Sequence, residues 1–597
     1  MTDSGSVALE KSKAGYNRFL LLVAGLGGLL YGVDVGIIAG ALPYLEATSG
    51  LNAGQLSTVV AAVLLGSVIS TLFAGLLADW MGRKPLMILS GLMFVVSIPV
   101  IALSQGYSSL VIGRLLQGVS AGFIGVVVPL YLAECLAATN RGKGTGIFQW
   151  LLTLGIFAAA LVGIYFSIRV DEVAKLGDPA KINAFKNAAW RGIFWVSLPP
   201  GILFVIGSFM VAESPRWLFR RGQREAALAA LLRSRANQQA ESELREMEET
   251  SAAERTKGSA AGAVKESLLS RKYVIPFLLA CVILACNQTT GINSIIGFNT
   301  NILLQSGLSD VHAHWGYVIF TAMNFLFTIG GMQLVDRKGR KFLLSVGTSG
   351  IIVALLCTGF LFRKTEVLRV DARSSVQAMV RPDQTLSLQY DAKAAQDLIG
   401  QNAQPATAPS QATSLSVIYS YGDFRAASKV VRSDDVAAKP VDITRDATLP
   451  GTKVAAFFSN PFADLDAART APLKIDNAWI TPVPSSGNGW LVALTLYLFV
   501  AFYAIGPGVV VWLALSELMP TRIRSNGMSI ALLINQGVST TIAAIFLPTV
   551  GKHGYATMFF AFAGCTVIYF IAAAFFLPET KGKTLEEIEA HFEGAKA

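Results

Sequence analysis

Charge is scarce in this chain of 597 residues. Asp, Glu, Lys and Arg together make up 15% of it, where soluble domains carry about 25%. A water-soluble enzyme or a solvated disordered chain is therefore the wrong class. Histidines number four (His312, His314, His553 and His591) and fall at predicted helix ends or in the tail. The five cysteines, Cys135, Cys281, Cys286, Cys357 and Cys565, all lie in apolar segments without paired spacing. That excludes a disulfide framework and a zinc site. No nucleophile elbow and no phosphate-cradling lysine motif occurs, so neither an enzyme nor a nucleotide-driven pump is expected, and no cofactor or metal.

What is abundant is apolar. Hydrophobic residues reach 53% and glycines number 55, and mean hydropathy is +0.52. Runs of roughly 20 apolar residues are what a bilayer core demands, and glycine is frequent in membrane helices. The net charge of +10 then belongs to loops that set topology rather than to a nucleic-acid surface. Residues Met1 to Tyr16 are polar, and the apolar run after them is too long for a signal-peptide core, so it reads as a retained helix.

About twelve such runs recur, near 18–45, 55–78, 85–105, 107–136, 143–168, 190–212, 272–305, 313–335, 341–363, 489–516, 526–550 and 555–577. Short loops with Arg83 and Lys84, Arg141 and Lys143, Arg337 to Lys341, and Arg522 with Arg524 alternate with loops poor in Lys and Arg. The basic set is expected in the cytoplasm, with both termini on that side. Two polar segments stand apart. Residues 213–271, rich in Arg, Glu, Ala and Leu, read as amphipathic surface helices. Residues 364–488 contain alternating patches such as Leu415 to Tyr421, which predict short strands, and a Pro-, Gln- and Ala-rich middle, which fits a flexible insert equally well. Its role stays open between a partner site, an outer cap and no role at all.

A repeat locates this insert. Asp79-Trp-Met-Gly-Arg83-Lys84 matches Asp336-Arg-Lys-Gly-Arg340-Lys341, and Glu134 precedes Arg141 as Glu517 precedes Arg524, by seven residues each. The two motifs lie 55 residues apart in the first copy and 181 in the second, and the excess of 126 is close to the length of the polar segment. The chain therefore divides into a cytoplasmic N-terminus (1–17), a six-helix half (18–212), a cytoplasmic helical linker (213–271) and three helices of a second half (272–363). An extracytoplasmic insert (364–488), three closing helices (489–577) and a cytoplasmic tail (578–597) follow. Parallel six-helix repeats put a substrate site between the halves near the bilayer midplane.

Together these residues resemble the sugar porter family of the major facilitator superfamily, which includes xylose–proton symporters and glucose facilitators. The resemblance is carried by Gly27 to Asp34, Asp79 to Lys84, Arg114-Leu-Leu-Gln-Gly118, Glu134 with Arg141, Glu213-Ser-Pro-Arg216-Trp-Leu218, Gln288 with Gly291-Ile-Asn293, Asp336 to Lys341, Gly506-Pro-Gly508 with Trp512, Glu517, and Pro578 to Thr584. It covers nearly the whole chain except the insert. It implies an all-α membrane protein with twelve transmembrane helices in two halves, a sugar or polyol and a proton as partners, a lipid bilayer and no nucleic acid. A monomer in the cell membrane is expected, the inner membrane if the source is bacterial.

Asp34 and Arg114 are the two charges well inside apolar helices, where burying a lone charge costs several kcal/mol and a partner offsets part of it. They read either as a static pair or as a coupling pair, in which an aspartate separated from its arginine takes up a proton. Resemblance favours coupling, because glucose facilitators carry a neutral residue at that position. Asp79, Arg83, Glu134, Arg141, Glu213, Arg216, Asp336, Arg340, Glu517 and Arg524 sit at predicted inner helix ends. They serve either as topology charges or as a gate of salt bridges between the halves, as matching residues do in the family. A polyhydroxylated ligand needs amides that donate and accept, plus an aromatic platform. The candidates beside family sugar positions are Gln149, Asn287, Gln288, Asn293, Asn324, Trp512, Asn535 and Gln536. Departures at Ile156, Asn287, Gly297-Phe298 and Asn535-Gln536 leave pentose, hexose and inositol open. The leading expectation is a proton-coupled sugar symporter, beside a polyol symporter, a uniporter and a non-transporting sensor. Gly291 and Gly506-Pro507 are expected to break their helices.

Overall fold

The computed structural model describes residues 3–136, 141–259, 270–402, 412–435, 437–453, 456, 460, 462–519, 523–581, 587, 588 and 592. The side chains of 3–12, 141–146, 250–259, 336, 512–516 and 524–526 are outside that description. In a lipid core every backbone N–H and C=O must find its partner within the segment, so long apolar runs become helices. Among the described residues, twelve helices are long and apolar enough to cross a membrane. The first six are Lys13–Ser49, Ala53–Met81, Arg83–Ala102, Tyr107–Cys135, Ile147–Ala174 and Pro179–Met210. The second six are Arg271–Gly297, Asp310–Val335, Arg340–Glu366, Ser486–Val511, Gly527–His553 and Tyr555–Phe576. We number these spans 1 to 12. The face that carries Arg83 and Arg340 is called here the basic face.

Local signals set the span ends. Asn52 and Gln55 form a reciprocal capping box at the start of span 2. Ser309 and Ser485 cap spans 8 and 10 by accepting backbone N–H groups. Among the described residues three spans are interrupted: span 6 between Trp195 and Leu198, and spans 7 and 10 at glycine. Span 7 stops at Thr289, turns through Gly291 at φ +84°, and resumes as Ile292–Gly297 and then Asn299–Gln305. Span 10 runs Ser486–Ile505, breaks at Gly506, and continues from Pro507 to Leu518. Three surface helices, Pro215–Arg220, Arg224–Leu232 and Asn237–Ser259, lie between the halves in sequence. Arg235 anchors them by donating to the Cys135 carbonyl at the end of span 4.

Among the described residues, seven strands occur and all lie between spans 9 and 10: β1 (Val370–Asp371), β2 (Leu386–Leu388), β3 (Thr413–Tyr421), β4 (Phe424–Ala427), β5 (Val431–Arg432), β6 (Val441–Ile443) and β7 (Leu473–Pro482). The long antiparallel pair β3–β7 runs from Thr413 opposite Pro482 to Tyr421 opposite Leu473, with a bulge at Ile418/Tyr419. β1 adds to β7, and β4 and β5 add to β3, while β2 and β6 pair separately. One face of β3 (Leu415, Val417, Tyr419 and Tyr421) closes the insert's own core with Ile475 and Ile480. Ile418 and Ala427 instead join the core of the helical bundle, with Val550, Tyr555 and Phe559. The insert is thus a folded unit seated on the bundle at the face opposite the basic one.

Candidate functional site

Two repeated charge clusters mark the basic face, and each is built inside one half. Arg83 is 2% exposed and forks onto Glu134, Nε to Oε2 at 2.8 Å and Nη2 to Oε1 at 2.9 Å. It also reaches Asp79 at 3.0 Å. Glu213 accepts the backbone N–H groups of Arg83 and Lys84 at 3.1 and 3.2 Å, and Ser214 donates to Glu134. Burial raises the Glu213 carboxyl above its usual range, and those amides pull against the shift. In the second half Arg340 forks onto Glu517 at 2.9 and 3.1 Å. Glu579 takes the amides of Arg340 and Lys341 at 2.9 and 3.1 Å, and Thr580 donates to Glu517. The repeat demands glycine between the spans. Gly82 and Gly339 sit at φ +104° and +89°, and a Cβ on either would come within 2.4 Å of its carboxylate, Glu213 or Glu579.

The sequence led us to expect salt bridges between the halves. The ion pairs described at the basic face all stay within one half, because each arginine, at the start of span 3 or 9, packs against the end of its own half's span 4 or 10 helix, where the glutamate lies. Arg216 is exposed. The side chains of Arg141, Asp336 and Arg524, and that of Trp512, are outside the described residues. Glu579, Thr580 and Ser214 were missed as partners. Their signal was the repeated Glu213-Ser214 and Glu579-Thr580, each following the last span of its half.

The halves meet elsewhere. Toward the opposite face, Asp310 at the start of span 8 accepts from Tyr44 at 2.7 Å and Ser167 at 2.6 Å. Asn301 donates to Glu46, and the Leu547 N–H donates to Ser57. Deeper, Tyr317 donates to the Gly36 carbonyl at 2.9 Å. These bonds close that face.

Between the two ends lie the polar side chains of the bundle interior. Arg114 Nη1 stands 3.6 Å from Asp34 Oδ1, with both residues fully buried. The same nitrogen donates to Gln117 at 2.7 Å, and the guanidinium lies 5.7 Å from the Phe194 ring. Neither Asp34 oxygen accepts a hydrogen bond from a described group. Across the seam, the first half offers Tyr31, whose hydroxyl faces Gln536 and Ser67. Spans 7 and 11 are joined by an amide chain. Asn293 donates to Gln288 at 3.0 Å and to Ser539 at 2.8 Å, Gln288 donates to Asn535 at 3.1 Å, and Asn535 donates to the Leu284 carbonyl. Asn287 accepts from Tyr503 at 2.8 Å. Asn324 on span 8 is buried, and Gln149 on span 5 is half-buried. Gln117, Tyr31, Tyr503 and Ser539 were missed. Gln117 lies in the quoted Arg114-Leu-Leu-Gln117 motif and Tyr31 in the quoted Gly27 to Asp34 motif, each one turn from its charged residue, whereas Tyr503 and Ser539 carry no sequence signal separating them from core residues.

Twelve spans in two halves that share a polar interior, closed at one face, define a membrane transporter of the major facilitator superfamily. A family model described as "Sugar (and other) transporter" matches residues 20–379 and 475–592, skipping most of the insert. The chain belongs to this sugar transporter family, and it is a transporter rather than an enzyme. It is 26% identical to the glucose transporter GlcP of Staphylococcus epidermidis, over 96% of this chain and 97% of that one. It is 27% identical to the human proton myo-inositol cotransporter, over 95% and 80%. Among solved structures it is similar to a partially occluded inward-open xylose transporter XylE from E. coli, with a TM-score of 0.61 at 18% identity, covering 94% of this chain and all of that one.

Proposed function

We propose that this chain carries a sugar or closely related polyol together with protons, by alternating access between its halves. The observation that carries coupling is the buried Asp34–Arg114 pair. A carboxylate that accepts no hydrogen bond from a described group is held in its charged form by the guanidinium alone. When movement during the cycle parts Asp34 from Arg114, which stays on Gln117, a proton on Asp34 removes the uncompensated charge. Its return to Arg114 releases that proton. The amide chain Asn293–Gln288–Asn535, with Asn287, Asn324, Gln149, Gln536 and Trp512, supplies the donors and acceptors that hydroxyls require. Relatives named as glucose, arabinose–proton and proton myo-inositol transporters support this substrate class. The loops holding Arg83, Lys84, Arg340 and Lys341 support a cytoplasmic basic face, with both termini on that side. Closure of the opposite face makes this the inward-facing conformation. The gate charges Asp79, Arg83, Glu134, Arg141, Glu213, Arg216, Asp336, Arg340, Glu517 and Arg524 then meet across the seam only when the halves swing the other way.

The test is uptake into proteoliposomes of a panel of pentoses, hexoses and inositols, with and without an imposed pH gradient. Accumulation driven by an inward proton gradient and collapsed by a protonophore is expected. Flux of a panel member that is indifferent to the gradient overturns coupling, and no flux of any member overturns the substrate class.

A further inference from the structure

The insert is covalently part of the second half, because it leaves span 9 after Glu366 and re-enters span 10 at Ser486. Its polar contacts nevertheless reach spans 1, 2 and 6 of the first half. Lys439 donates to the Thr48 carbonyl at the end of span 1, at 2.7 Å. Asn52 and Gln55, the capping pair of span 2, both donate to the Ala447 carbonyl at 3.1 and 3.4 Å. Asn183 donates to the Ala437 carbonyl at 2.9 Å, and Lys186 pairs with Asp435 at 3.4 Å. On the other side, Arg432 reaches the Leu304 carbonyl after the broken span 7, and Ala427 packs beside Gly551 of span 11.

One node joins all three parts. Glu46 of the first half accepts from Asn301 of the second and faces the Lys429 ammonium and Val430 amide of the insert. Burial lowers the Lys429 ammonium below its ordinary value, and the Glu46 carboxylate opposes the shift. This side chain is therefore held in the interface rather than in solvent.

From this geometry we infer that the β-rich insert is a clasp. It is fixed to one half and hydrogen-bonded to the other, it stabilises closure of the face opposite the basic one, and it must let go of spans 1, 2 and 6 each time that face opens. The bonds from Asn52, Gln55 and Lys439 are exposed and made to backbone carbonyls, which water can replace, so the clasp is releasable. The inference rests on the alternating-access reading, but its test needs neither the substrate nor the proton.

The reporter is Val60→Cys, a residue buried 5% exposed in span 2 against Gly297 of span 7, in a Cys357→Ser background. A membrane-impermeant maleimide added on the insert's side labels the introduced thiol only when that face opens, with mass spectrometry locating the label. Loosening the clasp with Lys439→Gln and Asn183→Ala is expected to raise the labelling rate at least about tenfold, and Lys439→Arg is expected to retain the parent rate. Tethering is expected to do the reverse. With Gln55→Cys and Ala447→Cys bridged by a short reversible thiol linker, labelling falls about tenfold and recovers on reduction. A control bridge within the insert, Ser387→Cys to Asp442→Cys across β2 and β6, leaves the rate unchanged. Labelling that ignores both loosening and tethering overturns the clasp. Failure of proton or sugar flux with labelling still responsive overturns only the transport reading.

Discussion

Asp34 and Arg114 were legible as candidates because a charge inside a long apolar run has no ordinary reason to be there. Their separation of 3.6 Å was not legible, nor was Gln117 as the competing partner of the same guanidinium nitrogen. Both depend on how spans 1 and 4 rotate against each other, which no single-chain pattern encodes. That competition matters for function. Arg114 has a neutral acceptor one turn away, so leaving Asp34 does not strand it without a partner. If Asp34 is the proton carrier, Asp34→Asn keeps the shape and size of the side chain while removing the titrating group. Concentrative uptake should fall to the background of empty liposomes, while equilibrium exchange of labelled substrate continues within about threefold of the parent. Accumulation against a gradient in this variant would remove Asp34 from the coupling step.

At the scale of elements, the repeated Asp-x-x-Gly-Arg-Lys loops predicted equivalent structures, and the two clusters on Arg83 and Arg340 are built alike. The pattern could not say whether the charges pair within or between halves, since both arrangements use the same residues. The insert shows a different limit. Alternation over Leu415–Tyr421 marked a strand, but its partner β7 begins more than fifty residues later, and register over that distance is a tertiary property. The broken span 7 was readable from Gly291, and its geometry is testable. At φ +84° any other residue is strained by about 1–2 kcal/mol. A Cβ there would also come within 2.4 Å of the Phe562 ring, an overpacking that costs about 1–3 kcal/mol more. Gly291→Ala should therefore lower the thermal unfolding midpoint in detergent and reduce uptake. Adding Phe562→Leu should recover the packing part of the loss and leave the backbone part. Full recovery in the double variant would show that the left-handed turn carries no strain of its own.

At the scale of the whole molecule, the two faces are held differently. The basic face keeps its described ion pairs inside each half, so they cost nothing to carry through a swing of one half against the other. The opposite face is held by bonds across the seam, and these must break in every cycle. Asp310 is the centre of that set, accepting from Tyr44 and Ser167 of the first half. Its side chain is 32% exposed, so water replaces part of what a lost donor gave. Each donor is then worth about 1 kcal/mol rather than the 1.5–3 kcal/mol of a buried charged bond. Removing both with Tyr44→Phe and Ser167→Ala should shift the balance toward the open outer face by roughly tenfold or more. Apparent affinity scales with the fraction of molecules in the competent state, so the half-saturating concentration for substrate offered at that face should fall, and each single variant should fall part of the way. Affinity measured from the basic face should weaken in the same variants, because one equilibrium feeds both. Half-saturation unchanged at both faces would mean that the Asp310 bonds are made equally in the two states and that closure is held by the apolar seam and the insert instead.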